Sequence, residues 1–238
     1  MTHEAPKYCW SCPKRDTFER AGRECPSSPR VKAELRRTVL GSLASMTPEV
    51  RRQKSLLIVK HVLELPEFKR ARVIMAYVAM EMEVDPWGLI REAWDLGKRV
   101  AMPRVHPPLE GTQIPDDHDH KILALELRPE PVDDPQDHGD LRPDVMGILE
   151  PKTSAPEIPI AEIDLVVVPC VAFDRRGQRL GRGGGFYDRF LSSADLKAVS
   201  CGLAFSEQVF SSLPQCPHDQ AVDVVVAETG VLRPGRGA

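Results

Sequence analysis

DLVVVPCVAFDRRGQRLGRGGGFYDRFL, residues Asp164 to Leu191, is the stretch that decides the fold of this 238-residue chain. Its apolar run Leu165 to Val168, ended by Pro169, is typical of a strand buried on both faces in a parallel sheet. A glycine-dense turn follows, Gly181-Arg182-Gly183-Gly184-Gly185, and Phe186 to Leu191 is predicted to begin a helix. A strand, a glycine-rich loop and a helix in this order bind phosphate, because loop amides, the helix start and arginine side chains all donate to an anion.

A bare glycine cluster also has a simpler interpretation, a tight connection in which glycine permits a positive φ. Arg179 and Arg182 in and beside the turn, and Asp188 just after it, favour a nucleotide phosphate instead. The loop is not a P-loop, because no Gly-Lys-Ser/Thr follows. It is not the dinucleotide fingerprint either, because Phe186 stands where the third glycine belongs. The sequence therefore predicts a phosphate loop of another kind.

The composition excludes several classes of protein. The chain has 32 basic and 35 acidic residues and a formal net charge of −3, so no global field recruits nucleic acid or acidic membranes. No apolar run approaches the roughly 20 residues that span a bilayer, and the N-terminus lacks a signal-peptide core. We therefore expect a cytoplasmic monomer with small-molecule partners, in which the six cysteines are free thiols.

Helical and strand patterns alternate along the chain. One helix is indicated by the four-residue spacing from Val31 to Leu43. A second begins after Thr47-Pro48 and ends before Pro66, and its predicted buried face is Leu56, Leu57, Val59, Val62 and Leu63. Strands are predicted at residues 72–79, 99–102, 122–127, 165–168, 198–203 and 222–227. This alternation predicts an α/β fold, a three-layer α/β/α sandwich with a mostly parallel sheet.

Three segments fall outside that pattern. Residues 1–30 carry Cys9-x-x-Cys12, Cys25 and His3, which suggest a zinc knuckle but supply only one close pair, so we expect a flexible extension. A chain beginning near Pro29 is then expected to fold and stay active. The cluster Asp116 to His120 lies in a proline-rich, acidic stretch and is interpreted as a solvated loop. The domain is predicted to span residues 31–230, followed by a disordered tail at 231–238.

The string from Val166 to Leu191 resembles the signature of the 5-formyltetrahydrofolate cyclo-ligase family, the methenyltetrahydrofolate synthetases. Further matches are Gly147-Ile-Leu-Glu150-Pro151, Phe205-Ser-Glu-Gln208 and the segment Leu213 to Asp219, so the resemblance covers Lys32 to Glu228. It implies the family's three-layer fold. It also implies ATP-driven closure of 5-formyltetrahydrofolate to 5,10-methenyltetrahydrofolate, with ATP as co-substrate and Mg²⁺ as cofactor.

The resemblance also implies residue roles. The positions that match the family's ATP site are Lys32, Arg36, Arg179, Gly181, Arg182, Gly183, Gly184, Gly185, Phe186 and Tyr187. Those that match its folate site are Val78, Glu83, Arg182 and Phe186. Arg182 and Tyr187 are the catalytic candidates, and Asp188 and Asp219 match the Mg²⁺ ligands. A small slip in the alignment would put Glu81 in the place of Glu83, and Asp188 alternatively complements the helix dipole.

The turn departs from one common family version, which has lysine and tyrosine where this chain has Gly184 and Phe186. This removes one cation from the site.

Two other function classes stay open on the sequence alone. One is a catalytically silent paralogue that binds nucleotide or folate, and the other is a different kinase or ligase that uses the same loop on another small acid.

Overall fold

The computed structural model of the protein describes residues 25–106, 121–127, 141–143 and 149–235, together with positions 17 and 20. The helices in these ranges are α1 (Pro29–Ala44), α2 (Pro48–Glu64), α3 (Pro66–Arg70), α4 (Trp87–Asp95) and α5 (Phe186–Leu191). None of the helices described there is long and apolar enough to cross a membrane.

The strands follow the chain from the end of α3 to the C-terminal region. They are β1 (Val73–Met75), β2 (Arg99–His106), β3 (Lys121–Leu127), β4 (Leu141–Pro143), β5 (Leu149–Pro151), β6 (Leu165–Val168), β7 (Ala172–Asp174), β8 (Arg179–Leu180), β9 (Val199–Leu203), β10 (Val209–Phe210), β11 (Val224–Ala227) and β12 (Gly230–Leu232). Short 3₁₀ turns lie at Ile160–Glu162 and Ser206–Gln208.

Seven of these strands form one sheet in the order β12-β11-β9-β6-β1-β2-β3. The pairs from β11 through β9, β6 and β1 to β2 are parallel, and the two outermost pairs, β11 with β12 and β2 with β3, are antiparallel. The central strand β6 pairs Leu165 with Val199 and Val168 with Gly202. The predicted mostly parallel α/β sheet is confirmed.

The sheet buries both of its faces, as the unbroken apolar run of β6 predicted. Leu165 and Val167 point to the face that packs against α1 to α4, whereas Val166 and Val168 point to the opposite face. That second face is covered by Phe190 of α5 and by irregular chain around Ile158 and Ile163. The molecule is therefore a three-layer arrangement whose second helical layer is thin.

A small side sheet, β10-β7-β8, holds the segment that leads to the glycine-rich loop. β7 and β8 form an antiparallel hairpin around the buried Asp174. The Asp174 carboxylate accepts from the N–H groups of Arg176 and Gln178, and from that of Leu213 on another segment. This hairpin fixes the direction in which the chain enters the loop.

The buried face of α2 differs from the prediction. Ile58, Val59 and Val62 are buried, but Leu56 and Leu57 are 55% and 48% exposed. Residues 58, 59 and 62 fall within one helical stripe, and positions 56 and 57 lie on the opposite side of the helix. The prediction selected apolar residues by type and did not establish which side of the helix faces the sheet. Packing against the sheet decides that orientation.

Two strand boundaries also differ. The strand predicted at residues 72–79 ends at Met75, after which the chain leaves the sheet to form part of a cavity wall. The strand predicted to end before Pro103 continues to His106, with Pro103 opposite Ala124 of β3. Since β1 pairs with β2 only as far as Ala101, the rest of β2 has one free edge, where a residue without an N–H is tolerated.

The domain extends beyond the expected boundaries at both ends. Cys25 is 2% exposed and Ser28 is fully buried, so these residues belong to the core rather than to an extension. Val231 and Leu232, expected in a disordered tail, form β12 against β11. The other zinc candidates, Cys9, Cys12 and His3, and the cluster at residues 116–120 lie outside the described residues.

Ser28 is expected to be an important start signal for α1. Its hydroxyl accepts from the N–H of Val31 at 3.1 Å, and its backbone N–H donates to the carbonyl of Cys25. Ser28→Ala should therefore destabilise the fold by about 1 kcal/mol, the usual effect of losing an N-cap. The urea unfolding midpoint measures this, with the exposed Ser42→Ala in the same helix as control. We accordingly expect a chain that begins before Cys25 to be more stable than one that begins at Pro29. An unchanged midpoint for Ser28→Ala would contradict the assignment of Ser28 as the N-cap.

Candidate active site

A cavity of about 1170 Å³ lies at the carboxyl ends of the parallel strands, where open α/β sheets bind ligands. Every residue assigned to the site by sequence lines this cavity: Lys32, Arg36, Val78, Glu83, Arg179, Gly181, Arg182, Gly183, Gly184, Gly185, Phe186, Tyr187, Asp188 and Asp219. Glu81 is exposed and does not line it, so the ambiguity between Glu81 and Glu83 is resolved in favour of Glu83 as the cavity residue.

The glycine-rich loop joins β8 to α5 along one side of the cavity. Gly183 and Gly185 have φ values of 120° and 63°, which residues with a side chain rarely adopt. The Gly181 carbonyl accepts from Nε of Arg36 at 2.7 Å, so the first helix is tied directly to the loop. Burial lowers the pKa of the Arg36 guanidinium, but it stays a cation at neutral pH.

Lys32 lies one turn before Arg36 on α1 and forms an ion pair with Asp219. Its Nζ is 2.5 Å from Oδ2 of Asp219, and the two side chains are 11% and 9% exposed. Burial alone would lower the pKa of Lys32, but the hydrogen bond and the charge of Asp219 outweigh it, and the pKa is raised. The same Oδ2 accepts from the N–H of Cys216 at 2.6 Å. A buried cation and a carboxylate thus share one corner of the cavity.

Arg182 reaches across the cavity from the loop to Glu83. Its Nε donates to Oε1 of Glu83 at 3.0 Å, and the N–H of Met80 donates to Oε2. The Glu83 side chain is 10% exposed, whereas that of Arg182 is 42% exposed. The guanidinium is therefore oriented by a fixed carboxylate while much of its surface faces the open cavity.

Asp188 connects three segments around the cavity. Its Oδ1 accepts from a terminal nitrogen of Arg179 at 2.6 Å and from the N–H of Gln220 at 2.9 Å. Nε of Arg179 also donates to the Gln220 carbonyl. The carboxylate therefore does more than complement the dipole of α5, because it holds β8 against the segment that carries Asp219.

The Asp188 and Asp219 carboxylates suit the Mg²⁺ that the resemblance implies. Among the described residues, no hydrogen bond reaches Oδ2 of Asp188, and Oδ1 of Asp219 faces His218 Nε2 at 3.6 Å. Each carboxylate thus uses one oxygen in hydrogen bonds that hold the protein together, and we expect its other oxygen to be the one that contacts a ligand. Mg²⁺ prefers hard oxygen donors and usually keeps several waters, so one or two carboxylates are sufficient.

Tyr187 is the second residue of α5, and its hydroxyl oxygen is buried without a hydrogen-bond partner among the described residues. Burial, followed by the charge of Glu83, raises the pKa of this phenol well above its ordinary value, so the hydroxyl keeps its proton. A buried hydroxyl is normally hydrogen-bonded, and one that is not, beside a cavity, is suited to a ligand.

Gly184 and Phe186 depart from the common family version together. A Cβ on Gly184 would lie 2.5 Å from the Phe186 ring, a distance at which one of the two groups must move. The guanidinium of Arg189 lies over the Phe186 ring, 5.1 Å from the ring centroid. The Phe186 ring therefore occupies the space that a side chain at position 184 needs, so a lysine there would require the ring to move.

A further wall of the cavity comes from β2 to β5, and the sequence did not assign it. Arg104 donates from its guanidinium to the Pro151 carbonyl at 2.6 Å and lies 4.0 Å from the Glu150 carboxylate. Ile122 and Leu149 add apolar surface to this wall. Glu150 lay within a recognised family motif, which was the available signal, but nothing near Arg104 indicated that it lines a cavity.

Comparison with known proteins agrees with this architecture. Residues 29–228 match the model of the 5-formyltetrahydrofolate cyclo-ligase family. The chain is 32% identical over 187 residues to the 5-formyltetrahydrofolate cyclo-ligase of Haemophilus influenzae, covering 78% of this chain and 89% of that one. It is 33% identical over 230 residues to the mitochondrial 5-formyltetrahydrofolate cyclo-ligase of Arabidopsis thaliana, covering 88% and 78%.

A solved structure agrees as well. The NMR structure of the Aquifex aeolicus 5,10-methenyltetrahydrofolate synthetase is similar with a TM-score of 0.70 at 32% identity, covering 87% of this chain and 95% of that one. The family match begins with α1 and ends just after β11, so it includes every strand of the main sheet except the edge strand β12, together with the helices and strands that line the cavity. The chain belongs to the 5-formyltetrahydrofolate cyclo-ligase family.

Proposed function

We propose that the protein converts 5-formyltetrahydrofolate to 5,10-methenyltetrahydrofolate with ATP, releasing ADP and phosphate. The observation that carries this proposal is the division of one cavity into two parts. One part has a glycine-rich loop, buried cations and two carboxylates, and the other is an apolar wall with Arg104 and Glu150. The first is suited to a metal-bound polyphosphate, and the second to an extended, partly aromatic substrate.

The phosphate part would use the loop from Gly181 to Gly185 together with Lys32 and Arg36 of α1. Backbone N–H groups in such a loop carry no net charge. They can therefore donate to phosphate oxygens without repelling a cation that binds the same phosphates. Lys32 and Arg36 lie four residues apart, on one face of the helix, so both can reach one polyphosphate. The hydrogen bond between Arg36 and Gly181 supports this role, because it already brings α1 to the loop.

The folate part would extend from Val78, Glu83 and Phe186 toward the wall formed by β2 to β5. Phe186 offers an aromatic surface, and Ile122 and Leu149 offer aliphatic surface. The cavity volume of about 1170 Å³ lies somewhat above the range of roughly 300–1,000 Å³ usual for sites that hold one ligand, which agrees with a cavity that holds two substrates.

The reaction needs activation of the formyl oxygen, which is a poor leaving group as hydroxide. Attack of this oxygen on the γ-phosphorus of ATP forms the O–P bond and releases ADP. N10 of the folate then attacks the activated formyl carbon and loses its proton, and the C–O bond breaks to release phosphate. Both steps depend on alignment and on neutralising charge rather than on a covalent protein intermediate.

Arg182 and Tyr187 would act where these steps take place. The Arg182 guanidinium, held by Glu83, presents a planar set of donors to the transferring phosphoryl group. The protonated Tyr187 hydroxyl can donate to an oxygen of the bound substrate, which would give this buried group the partner it otherwise lacks. Asp188 and Asp219 would hold Mg²⁺, which neutralises phosphate charge and orients the chain of phosphates when bound.

The test is the growth of methenyl-folate absorbance from 5-formyltetrahydrofolate. We expect product only when ATP and a divalent cation are both present, because the phosphate part of the cavity acts through the metal-bound nucleotide. The control reactions omit ATP or contain EDTA. Equal product formation in either control would contradict the proposal, and binding of both ligands without product would favour a silent paralogue.

The expectation that the protein is a cytoplasmic monomer stays a prediction.

A further inference from the structure

Three potential metal ligands are brought together by the short segment from Cys216 to Asp219. The Cys216 sulfur, one imidazole nitrogen of His218 and a carboxylate oxygen of Asp219 all lie within 4.8 Å of one another. His218 Nε2 and Asp219 Oδ1 are 3.6 Å apart. All three residues line the cavity, and the function proposed above uses only Asp219.

The spacing is close to that of a tetrahedral zinc site. Ligand distances of about 2.0–2.1 Å for nitrogen and oxygen and about 2.3 Å for sulfur place a nitrogen and an oxygen about 3.3–3.4 Å apart across a tetrahedral angle, and a sulfur about 3.6 Å from either. The separation of Nε2 and Oδ1, 3.6 Å, is slightly longer than the value for this pair. The pairs that include the Cys216 sulfur lie within 4.8 Å, so they must shorten toward the tetrahedral value when a metal ion binds.

The segment is already held in shape by its own hydrogen bonds. The N–H of Cys216 donates to Oδ2 of Asp219 at 2.6 Å, and the N–H of Asp219 donates to the Cys216 carbonyl at 3.0 Å. The Cys216 thiol lies 3.5 Å from the Ser27 carbonyl, which fixes its direction. Oδ2 is used internally, so Oδ1 is the oxygen that faces the imidazole.

A cation already occupies this corner of the structure. The Lys32 ammonium contacts Oδ2 of Asp219, so this corner of the cavity already holds a positive charge next to that carboxylate. A metal ion bound there would compete with the ammonium for the same carboxylate.

We propose that Cys216, His218 and Asp219 bind a zinc-like divalent cation with three protein ligands and one open position. Thiolate and imidazole ligands select Zn²⁺ and similar borderline-soft ions over Mg²⁺, which prefers oxygen. Binding releases the thiol proton of Cys216. Since Asp219 is also the proposed Mg²⁺ ligand, the ion excludes the metal–nucleotide complex, and this inhibitory consequence rests on the proposed function.

The binding test is a titration of the metal-free, reduced full chain with Co²⁺ in the absence of nucleotide. We expect a thiolate-to-cobalt charge-transfer band with about one equivalent. Cys216→Ser should abolish this band, and His218→Asn should weaken binding by about 100-fold or more, because losing a direct ligand should cost at least as much as the roughly 10–100-fold effect of an outer-shell change. Lys32→Met should tighten binding, because it removes the competing ammonium.

Controls separate this site from the other thiols. Cys170→Ala removes a thiol that lines the same cavity, and burial raises the pKa of Cys170 to about 11, so its loss should leave the band unchanged. Cys9→Ser/Cys12→Ser tests the N-terminal pair. A band that survives in Cys216→Ser, or that disappears in the Cys9/Cys12 double variant, overturns the proposal. His218, whose side chain is 44% exposed, provides a second variant should Cys216→Ser fold poorly.

Inhibition of the enzyme reaction by Zn²⁺ is measured separately. Stoichiometric Zn²⁺ should inhibit methenyl-folate formation competitively with Mg²⁺·ATP, and His218→Asn should need about 100-fold more Zn²⁺ for the same inhibition. Persistent inhibition of the His218 variant at the original concentration would contradict the link to this site. If the protein makes no methenyl product at all, the proposed function fails, while the cobalt band still decides whether the metal site exists.

Discussion

Replacing Arg182 by alanine is expected to lower kcat by roughly 10²–10³, the scale for losing one preorganised donor at a developing charge. The guanidinium extends from the loop toward Glu83 and presents its remaining surface to the cavity. We therefore expect it to act on the transferring phosphoryl group rather than on the resting nucleotide. The ATP affinity should change much less, because the loop amides, Lys32 and Arg36 remain.

Single-turnover rates and ATP binding, measured on the same samples, separate these two effects. Arg182→Lys keeps the charge but loses the planar fork, so it should fall between wild type and alanine. Arg37→Ala, an exposed arginine on α1 outside the cavity, is the control for losing a cation. A near-normal kcat for Arg182→Ala would show that the arginine does not contact the reacting group.

The central strand, the loop and the helix after it were predictable because their signal is local. The apolar run of β6, the glycines and the start of α5 are contiguous, and each has a direct structural meaning. The site residues were placed by resemblance, and the structure brings all of them to one cavity. The motifs did not indicate which of these residues form hydrogen bonds or ion pairs with one another.

The pairings could not be predicted because they join distant parts of the chain. Arg182 contacts Glu83 across 99 positions, and Lys32 contacts Asp219 across 187. Arg104 reaches the Pro151 carbonyl across 47 positions within a proline-rich stretch that indicated only irregular chain. The exposure of Leu57 has the same origin, since the phase of a helix is decided by the sheet on which it packs.

The second large effect is expected at the ion pair between Lys32 and Asp219. Lys32→Met leaves the Asp219 carboxylate, 9% exposed, with the Cys216 N–H but without its cation. Removing one partner of a buried pair typically costs 3–5 kcal/mol, and the lower end, about 3 kcal/mol, applies here because both side chains keep some exposure. The pKa of Lys32 is raised, so this stabilisation is fully present at neutral pH and is lost only as the pH rises through the raised value.

Lys32→Met/Asp219→Asn tests whether the cost arises from an unpaired charge. Neutral partners of similar shape leave no buried charge, so the double variant should be more stable than the sum of the two single changes by about 1–3 kcal/mol. Urea unfolding of the four proteins at pH 7 gives this coupling energy. Additivity within about 0.5 kcal/mol would mean that the pair contributes little to folding. ATP binding should stay weak in the double variant even where stability recovers, because the phosphates lose the Lys32 cation and the metal loses the Asp219 carboxylate.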